Sequence, residues 1–171
     1  MMDVTLIVLR LVHVLSGVFW VGAMVFVAGF LVPAVNDAGP DGGKVIAALS
    51  KRRFMNIMPM IAGLTILSGL WLYWRASTGF ATDYMKSGPG HAYALGALCA
   101  ITAFIIGMTV TRPAILKALQ LGQAAATAEP GEREKLLGAA KAIRERGAKA
   151  GNIIAVLLLI AAAAMAVGRY V

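Results

Sequence analysis

The sequence predicts an all-α integral membrane protein, a bundle of four transmembrane helices. Of its 171 residues 60% are hydrophobic and 14% are charged, and the mean hydropathy is +0.79. A water-soluble domain carries more charge than this, so the composition favours lipid as the solvent. Each of the four apolar stretches has, or nearly has, the length that crosses about 30 Å of hydrocarbon. They cover approximately residues 4–32, 57–74, 91–110 and 152–167, and residues 1–171 are expected to form a single transmembrane domain.

The first stretch, Val4 to Val32, has the alternative interpretation of a secretory signal. It is too long for the apolar core of a signal peptide and begins with Asp3 rather than with a basic cluster. It also lacks a small-x-small cleavage site. We therefore expect a retained first span.

The connections differ in length. The connection 33–56 is predicted to hold a turn and a short helix that ends at Lys51, Arg52 and Arg53. The connection 111–151 is predicted to be a cytoplasmic helical hairpin that extends spans three and four, broken at Glu129-Pro130-Gly131. An apolar stripe holds its second helix in place, formed by Leu136, Ala140 and Ile143.

The distribution of Lys and Arg predicts the orientation in the membrane. The connections 33–56 and 111–151 hold most of the 16 basic residues, whereas the opposite side holds Arg10, Arg75, Lys86 and Arg169. The positive-inside rule places the richer side in the cytoplasm. Both termini then face the periplasm of a bacterial inner membrane. The net charge of +8 therefore reflects orientation, and no nucleic-acid partner is expected.

The spans contain no carboxylate. All 8 acidic residues lie in the connections or near the termini. Without a buried acid, a span can neither relay protons through carboxylates nor bind a coupling cation. An ion-driven transporter or pump is disfavoured.

His13 is the ionisable side chain that lies clearly within the hydrocarbon. A buried imidazole is costly unless it is paired or liganded, which makes His13 a candidate site residue. The simpler interpretation is a histidine that bonds a hydroxyl or carbonyl of a neighbouring helix. Gly17 and Trp20 follow on the same face of span one. Gly17 leaves space for a flat ligand such as haem, although small residues also serve close helix packing.

His91 opens span three on the same side of the membrane. The two imidazoles are expected to differ in depth by about 5 Å, at the helical rise of 1.5 Å per residue. A porphyrin held between spans one and three can bridge such an offset, and histidine is a common axial ligand of haem iron. The alternative for His91 is an exposed residue at the membrane interface.

Three cations on that side, Arg10, Arg75 and Lys86, are candidate partners for haem propionates. They are equally explained as basic residues whose charged ends reach for the interface. Copper is a further candidate, because Met55, Met58 and Met60 form an M-x-x-M-x-M motif and thioethers suit Cu(I). That motif lies at the opposite end of the bundle from both histidines.

Span one resembles the opening helix of the CopD-like superfamily of small bacterial membrane proteins, which includes copper-resistance D domains and HemJ-type protoporphyrinogen oxidases. The residues that carry the resemblance are Leu11-x-His13, Trp20-x-Gly22 and Pro33-Ala34, then Gly69, Gly90-His91, Gly96, Gly107 and Arg112-Pro113-Ala114. The resemblance implies a helical bundle in which His13 ligates haem b or a metal near the periplasmic face. HemJ-type enzymes also use a lysine in a later helix, and here Lys86 lies in a loop.

The leading hypothesis is therefore a b-type haem protein that transfers electrons near the periplasmic surface. His13, and in one version also His91, ligates the iron. The first alternative is a cofactor-free accessory or structural subunit of a larger membrane complex. The second is porphyrinogen oxidation or copper handling. Besides the bilayer, the expected partners are other subunits of such a complex or a second copy of the chain.

Overall fold

The computed structural model describes residues 3–171, with the exception of the side chain of Pro40. The described chain is helical throughout its regular structure and contains no strand. Four of its helices are long and apolar enough to cross a membrane. These are span one (Val4–Asp37), span two (Phe54–Ala76), span three (Gly88–Thr127) and span four (Pro130–Val167). The predicted all-α fold is confirmed, and so are the four predicted helices of a length and hydropathy that could cross a membrane.

Span one consists of α1, a π-turn (Val27–Leu31) and α2, and span three consists of α6, a π-turn (Gly107–Thr111) and α7. The helices have the following bounds: α1 Val4–Phe26, α2 Val32–Asp37, α3 Gly42–Lys51, α4 Phe54–Ala76, α5 Thr82–Met85, α6 Gly88–Ile106, α7 Arg112–Thr127 and α8 Pro130–Val167. The 3-10 turn Gly39–Asp41 precedes α3. The predicted short helix before Arg52 and the predicted break near Pro130 are both present.

The two π-turns have the same cause. Each is followed by a helix with proline at its second position, Pro33 in α2 and Pro113 in α7. A proline lacks the backbone N–H, and its ring clashes with the carbonyl four residues earlier. Widening the preceding turn relieves this clash without breaking the helix. Both spans therefore continue past their prolines.

The spans pack in chain order around the bundle. Span one packs against span two, span two against span three, span three against span four, and span four closes onto span one. Spans one and three are therefore diagonal partners. Trp20 fills the centre, 4% exposed, against small or branched residues of the other three spans. Those residues are Ala62, Ala103, Ile154 and Leu158.

Beyond the bundle, α7 packs antiparallel along the first half of α8. Small buried residues allow the close approach. A Cβ atom added at Gly147, for example, would lie only 3.1 Å from Ala114 Cβ. Ala140 is buried and the flanking Leu136 and Ile143 are half-buried, as their shared stripe predicts. We call this pair the α7–α8 hairpin.

The bundle has two distinct ends. The terminal end carries Asp3, which forms an ion pair with Arg75 at 2.7 Å, and the start of α6 beside Val171. The hairpin end carries α3 and the α7–α8 hairpin. There Arg112 donates to Met55 O at 3.4 Å and to Asn56 Oδ1 at 3.3 Å, which ties span three to the start of span two.

Candidate functional site

His13 lies at the contact between spans one and two. Its Nδ1 atom is 2.9 Å from the main-chain oxygen of Thr65. A carbonyl oxygen can only accept a hydrogen bond, so Nδ1 carries the proton and donates it. In the neutral imidazole with this tautomer, the other ring nitrogen, Nε2, keeps its lone pair. The contact thus fixes both the tautomer and the orientation of the imidazole.

Hydroxyl groups surround this contact. Ser68 Oγ lies 3.4 Å from His13 Nδ1 and donates to Leu64 O at 2.7 Å. Thr65 Oγ1 lies 2.9 Å from two acceptors, Ser16 Oγ and Ile61 O, which share its one proton. Ser16 Oγ in turn donates to its own helix. Thr65 and Ser68 are 7% and 5% exposed, so their hydroxyls are shielded from lipid. The result is a hydrogen-bonded cluster inside the membrane-spanning part of the protein.

Two glycines allow the helices to approach closely here. A Cβ atom added at Gly69 would lie 2.7 Å from His13 Cε1, a distance that real Cβ atoms do not tolerate. The imidazole therefore occupies the space that the missing side chain of Gly69 leaves. A Cβ atom added at Gly17 would lie 3.5 Å from Thr65 Cγ2, an ordinary contact. Gly17 thus faces span two.

His13 was a candidate site residue from the sequence, whereas Thr65 and Ser68 were not. These two residues are spaced i, i+3, and Gly69 follows Thr65 at i+4, so all three lie on one face of α4. Polar residues on one face of an apolar span were an available signal. The amino-acid sequence alone does not show which neighbouring helix this face of α4 contacts.

The hydrogen bond between the hydroxyl groups of Thr65 and Ser16 is expected to contribute to the pairing of spans one and two. Thr65→Val keeps the shape and the main-chain oxygen that His13 needs but removes the donor to Ser16. Hydrogen bonds between membrane helices average about 0.6 kcal/mol and reach at most about 1.7 kcal/mol. We expect a loss of stability in that range, measured by denaturant titration in detergent micelles. Unaltered stability would show that this bond contributes nothing to the pairing of spans one and two.

The other predicted site residues lie elsewhere. His91 is exposed in the first turn of α6, on the span diagonal to span one. Trp20 belongs to the bundle core, about 10 Å deeper than His13 at 1.5 Å per residue. The small residues of span three face span four: Gly96 packs against Met165 and Ala161. The structure therefore brings His13 and Gly17 together but does not bring His91 to them.

The three cations do not converge on His13. Arg75 pairs with Asp3 and is half exposed, whereas Arg10 and Lys86 are exposed. The methionine motif does not converge either, because Met58 is 8% exposed and Met60 is 73% exposed. Within residues 3–171 no three His, Cys, Asp or Glu side chains lie close enough to hold a metal ion.

The geometry agrees with His13 as a haem ligand but not with the predicted position of the haem. His13 Nε2 fits the role of an axial ligand, since ligating histidines donate their other N–H to a carbonyl or carboxylate in this way. A position between spans one and three does not fit, because those spans are diagonal partners and each packs against spans two and four instead. Two pockets of the described residues, about 300 and 170 Å³, lie at the hairpin tip and beside Asp3 and Arg75. Neither is lined by His13.

Comparison with known proteins gave no match to a family model, to a curated protein or to a solved structure.

Proposed function

We propose that the chain is a b-type haem protein of a bacterial inner membrane, with both termini in the periplasm and His13 Nε2 as an axial ligand of the iron. Bound haem would supply a one-electron redox centre, serving electron transfer near the periplasmic face. The observation that carries the proposal is the hydrogen bond from His13 Nδ1 to Thr65 O, 2.9 Å long. It holds Nε2 in the form that binds a metal.

Span two acts as the positioning element for this ligand. The oxygen of Thr65 fixes the tautomer, and the ring packs where Gly69 has no side chain. Hydrogen bonding to the distal nitrogen raises the basicity of the ligating one. The apolar surroundings exclude water, and this influences the redox potential. Within one chain His91 is not placed to bind the same iron, so we propose single-histidine ligation by the monomer.

A cofactor-free accessory or structural subunit is the second candidate. One observation favours it: His13, Ser16, Thr65 and Ser68 satisfy one another and their own helices without any ligand. On this hypothesis the cluster serves to pair spans one and two, as polar residues do between membrane helices.

A visible absorption spectrum of the purified full-length protein separates the two candidates. The haem proposal expects a Soret band with close to one haem per chain when the protein is produced with adequate haem supply. The ferric form should be high-spin because one histidine supplies the single protein ligand. A protein that is folded and free of haem under these conditions would contradict the proposal and favour the accessory subunit.

The proposed orientation has its own test. Twelve of the basic residues lie in the stretches 33–56 and 111–151 at the hairpin end, which supports placing that end in the cytoplasm. A membrane-impermeant thiol reagent added from the periplasm should label Lys86→Cys but not Ala139→Cys. Both positions are exposed, and the native Cys99 is buried, so the background is low. Labelling of Ala139→Cys alone would reverse the topology.

A further inference from the structure

The turn between α3 and span two concentrates unpaired positive charge. Lys51, Arg52 and Arg53 are consecutive and all exposed. The ion pairs found among residues 3–171 are Lys44–Asp41 and Arg75–Asp3, so none of the three has a carboxylate partner in the described structure. We call these three residues the basic turn.

Arg112 adds a fourth cation next to the basic turn. It bonds Met55 O and Asn56 Oδ1, which lie two and three residues after Arg53. Both acceptors are neutral, so the charge of Arg112 is not neutralised either. Four guanidinium or ammonium groups are thus present at the hairpin end of spans two and three.

The exposed face of α3 continues this surface with apolar groups. Val45 is 44% exposed, Ala48 is exposed, and Arg52 follows on the same face at spacings of three and four residues. The opposite face, which includes Ile46 and Leu49, is half-buried. A short helix with apolar and basic residues exposed together at the end of a membrane span suits the boundary between headgroups and acyl chains.

Arg53 also has a backbone conformation that arginine rarely adopts. Its φ angle is +60°, in the left-handed region, where glycine is the favoured residue. Glycine would reverse the chain here without strain, so the arginine side chain is retained at a conformational cost. This points to a use for the side chain beyond the turn itself.

We infer that the basic turn, together with Arg112, binds the phosphate of anionic phospholipids and holds them at the hairpin end. Arginine donates two parallel hydrogen bonds to phosphate, and each cation near an anionic membrane surface adds to the attraction. Phospholipid rather than a soluble phosphate is the occupant, because the cations border two membrane spans and share their face with Val45 and Ala48. The inference concerns lipid binding at this end and is independent of haem.

The test uses the full-length chain in phosphatidylcholine vesicles that contain spin-labelled phosphatidylglycerol or, in parallel samples, spin-labelled phosphatidylcholine. The fraction of motionally restricted lipid should be greater for phosphatidylglycerol. The selectivity should fall towards one in the Lys51→Gln/Arg52→Gln/Arg53→Gln variant. It should also fall in 1 M salt, where the Debye length is about 3 Å.

The matched control is Arg133→Gln/Lys135→Gln/Lys141→Gln, which removes the same charge from exposed positions of the α7–α8 hairpin. It should keep the selectivity. An equal loss in both triple variants would show an effect of net charge alone and would overturn the inference, as would full selectivity in the first variant. Displacement of the labelled phosphatidylglycerol by added inorganic phosphate would also contradict it, since a free phosphate would then be the better ligand.

Arg53→Gly separates lipid binding from folding. Glycine suits the left-handed conformation, so the variant should be at least as resistant to thermal unfolding as the wild type while it loses part of the selectivity. A variant with raised thermal stability and undiminished selectivity would show that the Arg53 side chain takes no part in binding lipid.

Discussion

Replacing His13 with alanine is expected to abolish the Soret absorbance of the purified protein while the four-helix bundle remains intact. Of the two histidines, His13 is the one whose ring is oriented by a hydrogen bond to another span in the described structure, which makes its Nε2 atom the candidate ligand. Thr65 O lies inside α4, where it also accepts the helical backbone N–H four residues later, so the substitution leaves no buried acceptor without a partner. The loss of stability should therefore resemble that of a single interhelical hydrogen bond, about 0.6 kcal/mol. Absorption spectra, helical circular dichroism and detergent gel filtration check these expectations.

The matched control is His91→Ala. His91 is exposed on α6 and lies across the bundle from span one, so its removal should leave the haem content and the spin state unchanged. Full haem retention in the His13→Ala variant would eliminate His13 as the ligand. A shift to a different spin state in His91→Ala would instead restore a role for His91, supplied to the iron by a second copy of the chain.

Gly69→Ala is expected to weaken haem binding although it adds only one methyl group. The new Cβ atom would lie 2.7 Å from His13 Cε1, so the imidazole must move away from span two and lose its bond to Thr65 O. Loss of such a supporting contact typically lowers metal affinity about 10–100-fold. Haem titration of the haem-depleted protein, followed by the Soret band, measures this change.

Gly63→Ala provides the control for Gly69→Ala, since it makes the same chemical change on the same helix. The Cβ atom added at Gly63 would have no neighbour within 4 Å outside its own stretch of helix. Both variants gain helix propensity, about 1 kcal/mol for alanine over glycine. Gly63→Ala should therefore be stabilised and should bind haem normally. Equal haem affinity in the two variants would show that the orientation of His13 does not matter for haem binding. Equal stability would show that moving the His13 side chain costs no free energy of folding.

Gly17→Leu does not discriminate between the haem hypothesis and the accessory-subunit hypothesis. Gly17 faces Thr65 of span two, with 3.5 Å between an added Cβ atom and Thr65 Cγ2. A leucine there would separate the two helices whether or not haem binds. Gly69 is the better probe because it contacts the imidazole itself.

The sequence by itself determined the four apolar helices, the break near Pro130 and the short helix before the basic turn. Each of these follows from local properties: the length of an apolar stretch, a proline or glycine, or the spacing of residues along one helix. The sequence likewise made His13 a candidate site residue, because an imidazole in an apolar span is costly wherever it points.

Only the tertiary structure decided which helix His13 meets. Apolar periodicity in a membrane span shows that a face is buried but not which neighbour buries it, and lipid and protein are equally apolar environments. The packing order places span two, not span three, beside span one. As a result, His13 contacts Thr65 and Gly69. Trp20 lies in the bundle core, and His91 is exposed. Those contacts join residues 52 positions apart in the chain, and no local pattern encodes them.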